Sequence, residues 1–376
     1  MHSIRDIILA MLKRIYIDNF RCFVNFEYKP ERKQLLLGAN GSGKSSMLEA
    51  IRLLKEFLKG RDIPFTQSSR TRWQDRPLQV FEIEAQIHEK QYSYRVEIRY
   101  SAKSNSPFVG LEKLTVEGQP VFELVEGWMN SYYPGANTRA NFMRGEASES
   151  SLHFASFGNP YVRDFVEWMD SLHCFKIDAY ETKMEETSDA AHSIPDWEME
   201  YIASWYSHVI AVDPDGVDAF RASMKETLTG FMNLRFSSEE DGVKKLRADF
   251  ASPTQGRFTV SLSELSDGQR CLVALYMILH FLIAKGQTVF IDEPDNFVSL
   301  REIQPWLLEA EQAAQSSNGQ LILISHHPEL LNYWAKDFGL LFFREENGHV
   351  RTKLFGDVAD TGLEPAETVA RGWEDE

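Results

Sequence analysis

Gly38-Ala39-Asn40-Gly41-Ser42-Gly43-Lys44-Ser45-Ser46 is the stretch around which the rest of the chain is read. Its spacing fits the phosphate-binding loop G-x-x-x-x-G-K-[ST]. Glycines let successive backbone N–H groups close around a phosphate, where a Cβ would block the turn. Lys44 can set a point charge on the terminal phosphate oxygens, and the Ser45 hydroxyl can hold Mg²⁺. The flanks supply the context. Leu35-Leu36-Leu37 is a short apolar strand running into the loop. Met47, Leu48, Ile51, Leu54 and Leu58 then recur at helical spacing, and Gly60 supplies a stop. Strand, glycine loop and helix N-terminus in that order form an anion site.

The bulk numbers bound what else the chain can do. With 376 residues and 43% hydrophobic content there is ample material for a sizeable core. A net charge of −16 argues against coating nucleic acid or an anionic membrane, so any DNA contact needs a local basic patch. Arg61, Arg70, Arg72 and Arg76, close to Trp73, form the one basic cluster with an aromatic neighbour, and Asp62 and Asp75 dilute it. Three scattered cysteines, Cys22, Cys174 and Cys271, suit a reducing cytoplasm and no disulfide framework. The longest apolar run, 271–284, is interrupted by His280 and falls short of the ~20 residues a membrane span needs, so no membrane is expected. The run 7–12 is too short for a signal-peptide core, and the first ten residues read as an upstream-start extension before Met11.

Along the chain, 13–18 and 22–28 read as strands, followed by the strand, loop and helix already described. Period-two stretches at 80–87, 92–100, 111–117 and 121–125, separated by short turns, predict an antiparallel meander. Residues 126–158 are rich in Gly, Ser, Asn and aromatics and have no clear period. A helix is predicted over 161–172, and another from Asp213-Pro214-Asp215 through Phe231. Between them, 181–200 holds seven carboxylates against Lys183 alone, an exposed acidic loop or a face for a basic partner. Strands resume at 234–237, 245–250 and 257–262, with no internal repeat and no heptads.

Three further motifs sit at element ends. Leu265-Ser266-Asp267-Gly268-Gln269-Arg270 precedes the apolar helix 271–284. The buried-strand run Thr288-Val289-Phe290-Ile291 delivers Asp292-Glu293-Pro294. There Asp292 can hold a metal through its water shell, and Glu293 can orient or deprotonate an attacking water. A second apolar strand, 321–324, delivers Ser325-His326-His327-Pro328, where a histidine can hydrogen-bond a γ-phosphate. A metal site from His326, His327, Asp292 and Glu293 is the alternative use of the same residues. Open α/β sheets bind ligands at strand ends, so the order of the four motifs carries the weight.

That order resembles an ABC-type ATPase. The phosphate loop lies at 38–45, the Leu-Ser-x-Gly-Gln signature at 265–269, the Asp-Glu pair at 292–293 and the switch histidine at His326. Asp267 departs from the commoner glycine. Asp292-Glu293-Pro294-Asp295-Asn296-Phe297 and the opening Ile17-Asp18-Asn19-Phe20-Arg21 resemble the AAA-21, RecF-like and OLD-like branch, related to SMC heads. A transporter subunit would follow its Asp-Glu pair with Ser-Ala-Leu-Asp, and SMC proteins fill the long interval before the signature with coiled coil; neither is found here. Val298-Ser299-Leu300 replaces the Leu-His-Pro of relatives. Only 50 residues follow His326, with Asn347-Gly348 between two predicted strands, so the Toprim nuclease domain of OLD-like proteins is not expected.

The resemblance implies an α/β P-loop NTPase of ABC-ATPase type: a mixed sheet, an antiparallel β-meander and a helical insertion before the signature. One head would cover 1–376, with a phosphate-loop lobe to 125, an insertion at 126–230 and a signature lobe at 231–376. ATP would lie on Gly38, Asn40, Gly41, Ser42, Gly43, Lys44, Ser45 and Ser46, with Mg²⁺ on Ser45 and Asp292 and with Glu293 and His326 catalytic. Two heads would sandwich ATP as a homodimer, so that Ser266, Gly268 and Gln269 act on the opposite subunit's nucleotide. The glutamine that senses metal in the family has two candidate places, Gln119 and the neighbourhood of His153. The implied output is a conformational change in anti-phage defence beside a separately encoded effector such as a nuclease. The alternatives are a RecF-like DNA-repair ATPase and a non-hydrolysing sensor or scaffold. Partner contact is expected on the insertion, through Trp128, Tyr132, Tyr133, Phe142, Trp168, Trp197, Trp205 and Tyr206, with buried core as the alternative for most of them.

Overall fold

Alternating apolar and polar residues from Ala10 onward build a large antiparallel sheet, the main element of one of two units into which the chain divides. The computed structural model describes residues 10–101, 106–132, 139–143, 147–177, 187, 195–238, 244–252, 254, 256–357 and 362–371. Residues 1–9, Tyr133, the side chain of Phe142, residues 181–186 and 189, and the acidic end 372–376 lie outside that description.

The phosphate-loop unit comprises Ile8–Leu172 and Asn332–Glu376. Its first part runs β1 (Ala10–Asp18), β2 (Phe26–Tyr28), β3 (Lys33–Leu37), α1 (Lys44–Leu58), β4 (Leu78–Ile87), β5 (Lys90–Tyr100), β6 (Pro107–Val116), β7 (Gln119–Val125), β8 (Trp128–Tyr132) and β9 (Arg139–Met143). The eight-stranded sheet has the order β2-β1-β4-β5-β6-β7-β8-β9. The strand expected from Cys22 starts only at Phe26, because Arg21 (φ 49°) and Asn25 (φ 48°) turn the chain in the left-handed region. The meander continues two strands past Val125. β8 escaped the sequence pattern because Asn130 and Ser131, both buried, occupy its middle. Two helices follow, α2 (Leu152–Ala155) and α3 (Pro160–Ser171). Asn159 caps α3 through its side chain, with Pro160 at the first helical position. Phe165 of α3 packs on Tyr94 and Tyr92 of the sheet, with ring centroids 5.3 and 6.4 Å away.

The second unit is His173–Leu331. After β10 (Leu172–Lys176) come α4 (Ile202–Val212), α5 (Pro214–Thr227), β11 (Phe231–Ser238), β12 (Lys244–Ser252), β13 (Gly256–Ser261), α6 (Asp267–Phe281), β14 (Thr288–Asp292), α7 (Leu300–Ser317) and β15 (Gln320–Ile324). β11-β12-β13 is an antiparallel sheet, while β10, β14 and β15 lie side by side with β14 and β15 parallel. Every residue of α6 from Cys271 to Phe281 is buried, against α5 and α7 among others. By length and a mean hydropathy of 1.3, Asp267–Lys285 could cross a membrane, yet 72% of it is buried within the protein. It is a core helix.

The chain closes with α8 (Pro328–Phe338), β16 (Gly339–Arg344), β17 (Val350–Leu354) and α9 (Pro365–Ala370). In the phosphate-loop unit β16 pairs parallel with β3 and antiparallel with β17. Phe342 of β16 meets Phe26 of β2 at 5.6 Å between ring centroids. The whole is the mixed α/β architecture expected of a P-loop ATPase head. Of the two uses open to the aromatics of 126–230, buried core holds for three, and a partner surface does not take them. Trp168, Trp205 and Tyr206 are core side chains and Trp197 is half-buried, leaving Trp128 as the exposed tryptophan of the set. That stretch is also divided: residues to Leu172 belong to the phosphate-loop unit and those from His173 to the other.

Candidate nucleotide site

The phosphate loop leaves β3 at Leu37 and enters α1 at Lys44. Gly38, Gly41 and Gly43 have φ of 131°, 78° and 111°, which a side chain would strain. Space excludes one as well at Gly38 and is tight at Gly43. A Cβ on Gly38 would lie 2.1 Å from the Phe342 carbonyl, and one on Gly43 would press on Cys22 Sγ and the Phe23 ring. Gly43 caps α1 without a side-chain hydrogen bond, and no acidic residue stands in the first turn. The positive end of the helix dipole is therefore not neutralised from within α1. Lys44, 6% exposed, donates from Nζ to the carbonyls of Gly38 (2.5 Å) and Ala39 (3.2 Å) and to Ser42 Oγ (3.3 Å). Its ammonium is thereby held against the loop. Asn40, Gly41 and Ser45 are exposed, Ser46 is half-buried, and Ser42 is buried. Beside them Arg21 pairs with Glu49 of α1 at 2.5 Å.

In the second unit the parallel register sets Asp292 level with Ile324, so Glu293 and Ser325 emerge at one edge. Asp292 is 5% exposed. Glu293 takes φ 52°, donates its N–H to the Ile324 carbonyl (2.8 Å) and accepts at Oε2 from Asn296 Nδ2 (2.7 Å). Ser325 Oγ donates to Asp295 Oδ1 (2.6 Å) and accepts the His327 N–H (2.9 Å). Burial pushes the Asp295 carboxyl up, against the lowering effect of the Ser325 hydroxyl. His327 Nδ1 accepts the Glu329 N–H (3.3 Å) at the start of α8, whereas His326 is exposed. Asp295 and Ser325 lie inside the strings 292–297 and 325–328, yet only the hydrogen bond between them, across two strand ends, marks them out.

The signature string is, physically, a helix start. Leu265 is buried, and Ser266 is the exposed N-cap of α6. Ser266 Oγ accepts the Gln269 N–H (3.3 Å) while Gln269 Oε1 accepts the Ser266 N–H (3.0 Å), a capping box. A Cβ on Gly268 would lie 2.6 Å from the Phe297 carbonyl, so glycine lets the loop after Glu293 lie against this helix end. Asp267 pairs with Arg270 one turn on.

Other sequence candidates fare differently. The basic cluster is largely engaged: Arg76 binds Asp18 with contacts of 2.8 and 3.0 Å, Arg61 pairs with Glu56, and Arg70 lies 5.0 Å over the Tyr100 ring. Arg61, Arg72 and Arg76 stay exposed at the surface, and the first and last of these have carboxylate partners within the chain. Gln119 opens β7 at a hairpin, and the His153 ring packs on Gly60. Among the described residues no group of three or more His, Cys, Asp or Glu side chains gathers to hold a metal, so the four-residue metal site from His326, His327, Asp292 and Glu293 is not formed. The Ser45 hydroxyl and the Asp292 carboxylate are hard oxygen donors of the type Mg²⁺ takes, one or two to a site, beside substrate phosphates.

Residues 11–117 match the family described as "AAA ATPase domain", and residues 215–332 match "AAA domain, putative AbiEii toxin, Type IV TA system". A search of curated proteins returns no match. Among solved structures, the chain is similar to an SMC head bound to the C-winged helix domain of ScpA, at 12% identity and TM-score 0.54, covering 91% of this chain and 96% of that one. The SMC head domain from Thermotoga maritima aligns at 14% identity and TM-score 0.47, over 91% and 98% of the two chains. The Pyrococcus furiosus SMC head with an extended coiled coil, bound to the C-terminal domain of ScpA, aligns at 12% and 0.49, over 92% and 96%. Two segments of the chain thus match AAA ATPase families, and its fold is similar to that of an SMC head.

Proposed function

We propose that this chain binds ATP and hydrolyses it as a head-to-tail homodimer, and that the resulting movement drives a separately encoded effector. The observation that carries this reading is the strand-end set of the second unit. Asp292 is buried behind Glu293, the Glu293 carboxylate is held by Asn296, and exposed His326 emerges from the neighbouring strand. Glu293 would take a proton from the attacking water while the phosphate loop, through Lys44, holds the β- and γ-phosphates. Ser45 and Asp292 would hold Mg²⁺, which when bound neutralises phosphate charge. A pure sensor or scaffold needs no base, so Glu293 speaks against that alternative. The net charge of −16 counts against the RecF-like DNA-binding alternative. Anti-phage defence as the setting takes support from the family description matched at 215–332, which names a putative toxin.

Glu293→Gln tests the reading. The variant should bind ATP like wild type and lose about 10²–10⁴ in turnover, the usual cost of removing a general base. Hydrolysis at the wild-type rate would remove Glu293 from the mechanism.

A further inference from the structure

β16 outruns its parallel partner. The register Gly339↔Leu35 to Leu341↔Leu37 brings Phe342 level with Gly38, where β3 has already turned into the phosphate loop. The strand continues alongside the loop to Arg344. Arg344 donates to the Gly41 carbonyl twice, from Nε (3.0 Å) and Nη2 (2.7 Å). Nothing lies within 4 Å of where a Cβ on Gly41 would stand, and Gly41 itself is exposed. Side-chain packing therefore does not fix this peptide, and its orientation rests on hydrogen bonds.

In a trans peptide the C=O and the following N–H point in opposite directions. A guanidinium that draws the Gly41 carbonyl toward β16 therefore turns the Ser42 N–H the other way, where it now meets the Ala39 carbonyl at 3.1 Å within the loop. Charged donors make the stronger hydrogen bonds, and an arginine fork fixes direction as well as distance.

We propose that Arg344 is a positioning residue for the nucleotide: it sets the Gly41–Ser42 peptide so that the phosphate loop is ready to receive a diphosphate. The inference rests on reading residues 38–46 as the ATP phosphate site. It acts through the loop, so it concerns ATP and ADP alike.

The test is direct binding of ATP and ADP to the full chain and to Arg344→Ala, Arg344→Lys and Lys44→Ala, with melting curves taken without nucleotide. Arg344→Ala should weaken both nucleotides by a similar factor, on the order of tenfold. In turnover the loss should fall on KM more than on kcat, and Arg344→Lys should recover part of it. A loss confined to ATP would make Arg344 a direct γ-phosphate contact and overturn the proposal. Unchanged affinities with a lowered melting temperature would make it a structural bond only, and would also overturn it. Wild type that binds neither nucleotide would instead defeat the reading of the loop. Binding abolished by Lys44→Ala but untouched by Arg344→Ala would keep that reading and defeat this inference alone.

Discussion

His326 and His327 are adjacent in sequence and differ in what surrounds them. His327 serves its own backbone: its Nδ1 accepts the Glu329 N–H, and its N–H goes to Ser325. His326 is exposed at the end of the strand beside Glu293. His326→Ala should therefore cost turnover on the order of 10², the scale of losing one donor to a developing negative charge. His327→Ala should leave most turnover and instead lower the melting temperature by loosening the start of α8. Steady-state ATPase rates and melting curves on the two variants decide it, and a larger loss of turnover from His327→Ala would reverse the roles. The preference for His326 was legible in the string Ser325-His326-His327-Pro328. What distinguishes the two rings physically, the helix start at Pro328 claiming one of them, belongs to three-dimensional structure. Arg344 was not legible at all. In sequence it is a charged residue after an apolar run, and its contact with Gly41 spans 303 positions that only strand register joins.

At the scale of elements, local pattern carried strand–loop–helix at 33–58 and the alternating strands from Leu78 to Val125. It failed where polar residues are buried, as in β8, and where α4 offers an apolar run without a strong period. Helix α6 shows why such a run needs its neighbours. Buried all round, it joins α5 through two polar pairs, Ser223 Oγ with His280 Nε2 (2.9 Å) and Thr227 Oγ1 with the Tyr276 hydroxyl (2.6 Å). Ser223 also donates to Glu309 of α7 (2.6 Å), and Lys285 and Asp213 act on His280 from nearby. Burial pushes the His280 pKa down to about 4, with Lys285 adding to the effect. A lowered histidine pKa means that the unfolded chain binds the proton more readily. Stability is then full above about pH 6.5, the ordinary histidine value, and falls as pH drops from there toward about 4. His280→Asn removes the titrating group. Its melting temperature, compared with wild type across that window, should lack this part of the slope. Parallel pH profiles for the two proteins would refute the assignment.

Each whole chain brings one phosphate loop and one signature, and a closed two-fold pairing supplies two of each. The phosphate loop belongs to the unit Ile8–Leu172 with Asn332–Glu376, and the signature, Glu293 and His326 belong to the other. Ser266 sits exposed at the N-cap of α6, and in the proposed dimer the first turn of that helix would bring an N-terminal dipole and a hydroxyl to an anion on a second copy. Ser266→Arg should therefore block the sandwich while leaving ATP on its own phosphate loop, and Lys44→Ala should fail to bind ATP at all. Neither variant alone should hydrolyse. Mixed, they form dimers with one complete site, made from the loop of the Ser266→Arg chain and the signature of the Lys44→Ala chain. Equal mixing gives mixed dimers in half of the pairs, each with one of two sites, so about a quarter of wild-type activity should return if sites work independently. Ser266 also caps α6, and losing an N-cap costs about 1 kcal/mol, so a melting curve must show that the variant stays folded. ATPase that does not return, with mixed dimers demonstrated by mass, would exclude independent sites completed in trans.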